Sequence, residues 1–583
     1  MRIILLPFLL VFLGLSAQEY PQDYFRSPLG IELISSGTFG ELRGNHFHSG
    51  IDLKTQGKEG FRVYAAADGY VSRIKVSPYG FGLALYLRHP NGYTTVYAHL
   101  REFNQEIEDY VVAQMKAGKK NEVDLFPPAS KFPLKKGDVI ALSGNSGGSG
   151  GPHLHYEIRD SRTEKIINPL LFGLEVKDGR FPELQDLQIY SFEDGVFMGQ
   201  KEMRLIEVRD GEYALSGDGI VSSYDPVSFG IYAIDRQDRA NNRNGVYSLK
   251  LYVGDYLHYH YEMETFAFSE TRFINAHIDY ALKNCCRKTL HRLFRAPGNQ
   301  LSVYKNTLKS DHIAFEKDTL VDIRIEARDV AGNASILQFK LDYKHQPELK
   351  SRLDVNKVKS LNESLPTEWP KMQNVDWQKP LDLIDAKHRV SFPARSFYQD
   401  LILERTQAPA CADCLAPMLN LGDESVPVHH YYDLALKVDE IPEGVETKHL
   451  FIASFKNGKY LDYEGGTFAD GWLHTRTRQL GSFSVLYDNR PPTIKAINFK
   501  NGSTVKSGTK LSIRVRDNYS GIEEYNAWVD DQWVPVYYDA KTARLLIEVK
   551  HWPKSENPKQ SLILKLEDDR GNQSTEKWTL IRA

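Results

Sequence analysis

The sequence is poor in sulfur, in net charge and in long apolar runs. Only four cysteines occur in 583 residues, too few for a disulfide-dense scaffold of this size. Cys285 and Cys286 are adjacent, a poor arrangement for two ligands of a tetrahedral zinc. Cys411 and Cys414 are spaced to close a small local disulfide, a structural feature. The two signs of charge nearly cancel, 73 basic against 76 acidic side chains for a net charge of -3. No basic excess argues for nucleic acid or for an anionic membrane surface. The single apolar run, Ile3 to Leu15, follows Arg2 and precedes the small residues Ser16 and Ala17. It is too short to span a bilayer and reads as a secretory signal peptide over residues 1–17. No cysteine follows it to carry a lipid, and no later run suits a membrane helix. The expectation is an exported protein of the periplasm, cell envelope or medium that is not integral to a membrane.

What the chain has in abundance is strand-forming residues, including 32 tyrosines. The fold class expected is mainly β. At about 150 residues per domain the length implies roughly four domains. From Ile31 to Asn168, short β-forming runs alternate with Asp-Gly, Pro-Tyr-Gly and Asn-Gly turns: Phe61–Ala67, Tyr70–Val76, Leu83–Arg88 and Tyr93–His99. This is the pattern of an antiparallel sheet. Within it, Ile107, Tyr110, Val111 and Met115 have helical spacing, predicting an amphipathic helix over 103–119 inside an insertion at 101–133.

Beyond Asp178 a pattern occurs twice. Ala233-Ile-Asp-Arg matches Val515-Arg-Asp-Asn, and Ala327-Arg-Asp-Val-Ala-Gly-Asn-Ala-Ser335 matches Leu566-Glu-Asp-Asp-Arg-Gly-Asn-Gln-Ser574. Each copy reads as a strand ending in Asp, a Gly-Asn turn and a second strand, the text of a hairpin in a β-sandwich. The predicted organisation is a first domain over 28–175, an Ig-like sandwich over 178–345 with a helical insertion at 270–283, a linker over 346–384, a β-rich domain over 385–489, and a last Ig-like sandwich over 490–583 after Pro491-Pro492.

The chemistry-bearing residues lie in the first domain: His48-Ser-Gly-Ile-Asp52, Tyr97-Ala-His99 and His153-Leu-His155. A water-activating zinc takes three protein ligands and keeps one open position, and imidazole with carboxylate suits it. Alternation puts His153 and His155 on one face of a strand. His48 and Asp52 also share a face if their segment is extended, and Ser49-Gly50 permits close backbone there. His46 competes with His48 as a ligand, but only His48 has an Asp four residues on. His89, beside Pro90-Asn-Gly, is expected to face solvent, and His258, His260, His429 and His430 to be ordinary surface or core residues. The loop Ser143-Gly-Asn-Ser-Gly-Gly-Ser-Gly-Gly-Pro152 reads either as a backbone that something, such as a substrate chain, approaches closely, or as a floppy surface linker.

These motifs, in this order and over roughly residues 35–170, resemble the LytM/lysostaphin-type zinc endopeptidases. The resemblance implies Zn²⁺ on His48, Asp52 and His155, with His99 and His153 as the metal-free catalytic pair. It implies a groove between loops that holds an extended, glycine- or D-amino-acid-containing peptide, as in bacterial peptidoglycan. It also points to departures, since relatives pass quickly from the Tyr-Ala-His strand to the Lys-Lys-Gly-Asp-Val-Ile segment. Here about 30 residues intervene, as a lid, a wall, a plug or a surface decoration. Two other functions compete with hydrolysis of peptide cross-links. One is a scaffold that activates cell-wall amidases, against which stands the full set of five residues. The other is wall binding or adhesion, or contact with an envelope protein, through the β-sandwich domains.

Overall fold

The computed structural model describes residues 20–193, 196–307, 312–345 and 371–583. The expected signal peptide lies outside them, as does most of the expected linker. The mainly-β expectation holds: strands dominate, and no helix among the described residues is long and apolar enough to cross a membrane.

The first domain is built on an antiparallel sheet. Its main path runs Ser35–Gly37, Ile51–Lys54, His153–Asp160, Tyr93–Phe103, Leu83–Arg88, Gly69–Val76 and Val123–Leu125. Its central strands are buried nearly throughout, which explains their Val, Ile, Leu and Tyr content. The insertion forms the helix Gln105–Gly118. Asn104 caps it by accepting the Ile107 N–H at 3.1 Å, and Lys119 ends it in a left-handed conformation. Ile107, Val111 and Met115 are buried against the sheet, the face that their spacing anticipates.

That helix is more than decoration, because the last domain docks on the insertion. Lys116 donates to the His551 carbonyl at 2.7 Å, and Asn121 accepts the Val536 N–H at 2.7 Å. Trp533, with Trp528 and Tyr537 beside it, extends the first domain's apolar core into this junction. Between the two domains lies a cavity of about 430 Å³, walled on one side by Asn145, Ser146 and Gly147 and on the other by Tyr537 and Tyr538.

The domain after Asp178 differs from two separate sheets. The long strand Val196–Arg209 pairs with Glu183–Glu193 over its first half and with Glu212–Leu215 over its second. It thereby joins eleven strands into one sheet, ten along a continuous path and Ile220–Ser223 off it, paired with Ala334–Tyr343. The helical insertion is present but broken: a 3₁₀ turn at Phe268–Phe273, then helices Ile274–His277 and Tyr280–Cys286. The break falls where extended Ile278 bridges to His291 and Asp279 caps the last piece by accepting the Leu282 N–H at 2.9 Å. The first two domains share one apolar core. Strand Thr265–Phe266 pairs with Ile166–Ile167 of the first domain, and Phe266 packs on Phe39 and Phe47.

The segment read as linker ends earlier than 384. Lys371–Val375 and Leu381–Ile384 are strands, pairing with Leu401–Ala408 and His388–Phe392. Leu383 is buried, but a four-residue alternation among Asp, Pro and Trp is too short to stand out. The strands from Lys371 to Tyr487 form two sheets around a separate core, and those from Thr493 to Arg582 form two more around another. The twice-occurring hairpin is Thr319–Arg328 with Ala334–Tyr343 and Lys559–Asp568 with Gln573–Arg582. Disulfides join Cys411 to Cys414 and the adjacent Cys285 to Cys286.

Candidate metal and catalytic site

Three strands bring the site together. Asp52 on Ile51–Lys54 lies directly across from His155, which in turn lies across from Ala98. Directly paired residues project to the same face, so Asp52 and His155 meet. His48 is not on that strand, contrary to an extended His48–Asp52 run. It exchanges backbone hydrogen bonds with Gly40 and Glu41, each 2.9 Å, and the chain bends at Gly50 before the strand begins.

His48 Nε2, Asp52 Oδ1 and His155 Nδ1 form a triangle with sides of 3.0, 3.1 and 2.9 Å. All three residues are buried. Ligands about 2.0–2.1 Å from a tetrahedral zinc stand about 3.3 Å apart, so the triangle is close to the required size. The remaining ring nitrogens are held from behind. His48 donates from Nδ1 to the Thr38 carbonyl at 2.7 Å. His155 donates from Nε2 to Glu157 at 3.0 Å, and buried Glu157 accepts from Arg159 at 2.7 Å. Such partners fix which nitrogen faces a metal. Two imidazole lone pairs beside a carboxylate make a donor set that suits Zn²⁺. Arg43 holds the other oxygen of Asp52 at 3.2 Å.

His99 and His153 stand beside the triangle, their ring centroids 4.8 Å apart. Simple alternation would send His99 to the face opposite Ala98 and His155. It reaches the site because it adopts a left-handed backbone, φ 57°, a strained conformation for a histidine. His99 donates from Nδ1 to the Ser146 carbonyl at 2.8 Å, and His153 from Nδ1 to the Gly151 carbonyl at 2.8 Å. Both Nε2 atoms are left as acceptors. That of His153 is buried without a hydrogen-bond partner, 3.3 Å from Asp52.

The electrostatics separate the roles. Burial, helped by His155 and His153, pushes His99 down to about 3, so it stays a neutral base. Burial opposes ionisation of Asp52, but the imidazoles of His48 and His155 beside it hold it well below the usual carboxylate range. Without a metal, burial pulls His155 down, but the hydrogen bonds it donates to the Asp52 and Glu157 carboxylates overcome this and raise it to about 9.

The five residues named from the sequence are thus brought together, and His46 is exposed outside the cluster. His89 is a correction. It is buried at 4% exposure and held by the Asp68 carbonyl and Thr95 Oγ1, each at 2.8 Å, because Phe25 covers its ring edge-on, centroids 5.4 Å apart. The glycine-rich loop is also only partly as expected. A side chain at Gly147 would strike Gly82 N at 2.3 Å, whereas Gly150 and Gly151 face open space. The close approach is to the Gly80–Gly82 turn of the same domain. Glu157 and Arg159 were legible by the alternation that pairs His153 with His155. Arg43 and Thr38 carry no motif.

Residues 46–122 match the family model Peptidase family M23. The chain carries an M23 peptidase domain. Over 127 residues it is 36% identical to an uncharacterized metalloprotease of Haemophilus influenzae, spanning 22% of this chain and 21% of that protein. It is 35% identical over 127 residues to the DD-carboxypeptidase/endopeptidase Mpg of Neisseria meningitidis, spanning 22% and 23%. The chain thus matches only about a fifth of the length of these curated relatives. Among solved structures, the catalytic domain of the prophage-encoded M23 protein EnpA from Enterococcus faecalis aligns at 22% identity and TM-score 0.19, over 27% of this chain and 99% of that one. Downstream of the M23 domain, residues 372–488 match the model of a Zu5-like domain.

Proposed function

We propose that the chain is an exported zinc endopeptidase that hydrolyses peptide bonds in the cross-links of bacterial peptidoglycan. The observation that carries this reading is the buried triangle of His48, Asp52 and His155, with the acceptor nitrogens of His99 and His153 beside it. His48, Asp52 and His155 would hold a zinc ion, which would supply a Lewis acid for the scissile carbonyl and acidify the attacking water. One of His99 and His153, each fixed by a backbone carbonyl at Nδ1, takes the proton of the attacking water at Nε2. The protonated ring then donates to the developing oxyanion or the leaving amine. Arg43 and Glu157 hold Asp52 and His155 in register. The domain at 178–345 buttresses the His48 segment, and the domains beyond it are proposed to engage an envelope partner.

The test is incubation of the zinc-loaded mature chain with purified sacculi, with fragments read by mass spectrometry. About one zinc per chain and peptide-cleaved fragments are expected, with both lost in His155→Ala. Zinc binding without release of fragments from any wall type would overturn the hydrolase reading and favour a scaffold that acts through amidases.

Metal binding is also expected to release a proton. His155 is raised to about 9 without a metal, so below that pH zinc displaces a proton from its Nδ1. Zinc affinity should rise about tenfold per pH unit from pH 7 toward 9, as measured by competition with a chelator of known proton affinity. A flat profile would mean that His155 is already neutral in the metal-free chain.

A further inference from the structure

The repeated hairpin carries a second cluster of oxygen ligands, unrelated to the histidine site. In the first copy, Asp235 ends one strand and Asp329 another, and Asp178 enters from the segment that leaves the M23 domain. The Asp178 carbonyl accepts from Asn333 of the Gly-Asn turn at 3.3 Å. One carboxylate oxygen from each aspartate lies within 4.8 Å of the others. Oxygens about 2.3–2.6 Å from a shared Ca²⁺ span this distance.

Acidic clusters alone are common, but here a fourth group points to a cation. Gln237 is 3% exposed, lines the same cavity as the three aspartates, and leaves its Oε1 without a hydrogen-bond partner. Asp235, 2% exposed, likewise leaves Oδ1 unpaired. A buried amide carbonyl and a buried carboxylate oxygen without donors are costly. The neighbouring arginines do not relieve them, since Arg180 and Arg236 both turn to Glu183, at 3.5 and 2.7 Å. Burial, then repulsion from Asp178 and Asp329, pushes Asp235 up to about 8.

We propose that Asp178, Asp235, Asp329 and the Gln237 carbonyl bind a Ca²⁺ ion that fastens the segment leaving the M23 domain, through Asp178, to the strand ends of the domain at 178–345. All four donors are hard oxygens, which exclude a zinc-type site and suit Ca²⁺. The cavity is also walled by Thr38 and Gly245. Thr38 Oγ1 accepts the Gly245 N–H at 3.1 Å, and its carbonyl orients His48. The ion therefore stiffens the wall behind a residue of the histidine cluster without touching it. The second copy, Asp488, Asp517 and Asp568, has exposed Tyr519 at the position of Gln237. It lacks the fourth donor and serves as an internal control.

The test is calorimetric titration of the zinc-loaded full chain with CaCl₂, paired with thermal unfolding with and without Ca²⁺. Expected are a dissociation constant below about 1 mM, a rise of several degrees in Tm, and at least tenfold weaker binding of Mg²⁺. Asp235→Asn should abolish the Ca²⁺ response at this site, yet unfold no earlier than wild type without Ca²⁺, because it removes a like charge. Gln237→Leu should weaken Ca²⁺ at least tenfold, and Asp517→Asn should retain the response. An unresponsive wild type, an Asp235→Asn variant that responds like wild type, or equal affinity for Mg²⁺ would overturn the assignment. The readouts are independent of hydrolysis, so failure of the peptidase reading and failure of this one are distinguishable.

Discussion

His99→Ala is expected to keep its zinc and lose at least about 10²-fold in kcat on purified sacculi, the contribution typical of a positioned general base. The expectation rests on a separation of parts. His99 contributes no atom to the triangle of His48, Asp52 and His155. Its Nδ1 is committed to the Ser146 carbonyl, leaving only Nε2 to act. It stays neutral down to about pH 3, so acid should abolish activity through loss of the metal ligands before it protonates this base. His153→Ala should behave similarly but with some loss of zinc affinity, because its Nε2 stands 3.3 Å from Asp52. Zinc content and kcat measured on the same preparations decide the matter. A His99→Ala chain that loses its zinc would make the residue structural, and one that retains full kcat would leave His153 as the only base.

The contrast between these two histidines also marks what was legible in the sequence. His153 and His155 follow strict strand alternation, so their shared face could be read from spacing alone. Glu157 and Arg159 obey the same rule and were equally readable. His99 does not. Alternation assigns it to the wrong face, and only its left-handed backbone corrects this, a conformation uncommon enough outside glycine that spacing does not reveal it. Thr38 was invisible for another reason. Its partner Gly245 is 207 residues away, and no local pattern encodes such a contact. The helix in the insertion was readable from Ile107, Val111 and Met115 because one apolar face dominates. Its other role, as the seat of the last domain, depends on polar residues such as Lys116 and Asn121, which look like solvated surface until their partners arrive. The twin hairpins were readable as repeats, while Asp178 and Asp488, which complete each cluster, lie outside the repeated text.

A large structural effect is expected at Gly50. Its φ is not in the left-handed region, so the backbone conformation alone does not demand glycine. Space does. A Cβ there would sit 2.4 Å from the Tyr156 carbonyl oxygen, 2.9 Å from Glu157 Cγ and 2.9 Å from His155 Nε2. The first contact is backbone and cannot rotate away. The strand Ile51–Lys54 would have to part from His153–Asp160, in the register that sets Asp52 opposite His155. Overpacking of this kind costs about 3 kcal/mol, and the shift falls on the bond that orients His155 through Glu157. Gly50→Ala should therefore lower stability by that amount and weaken zinc binding by about 10–100-fold, the range for a disturbed outer partner. Gly150→Ala is the control: its φ is also outside the left-handed region and nothing lies within 4 Å of its added Cβ. It should match wild type in zinc affinity and in denaturant midpoint. If Gly50→Ala binds zinc like wild type, the two strands have more freedom than their pairing implies, and the site owes its shape to the His48 loop alone.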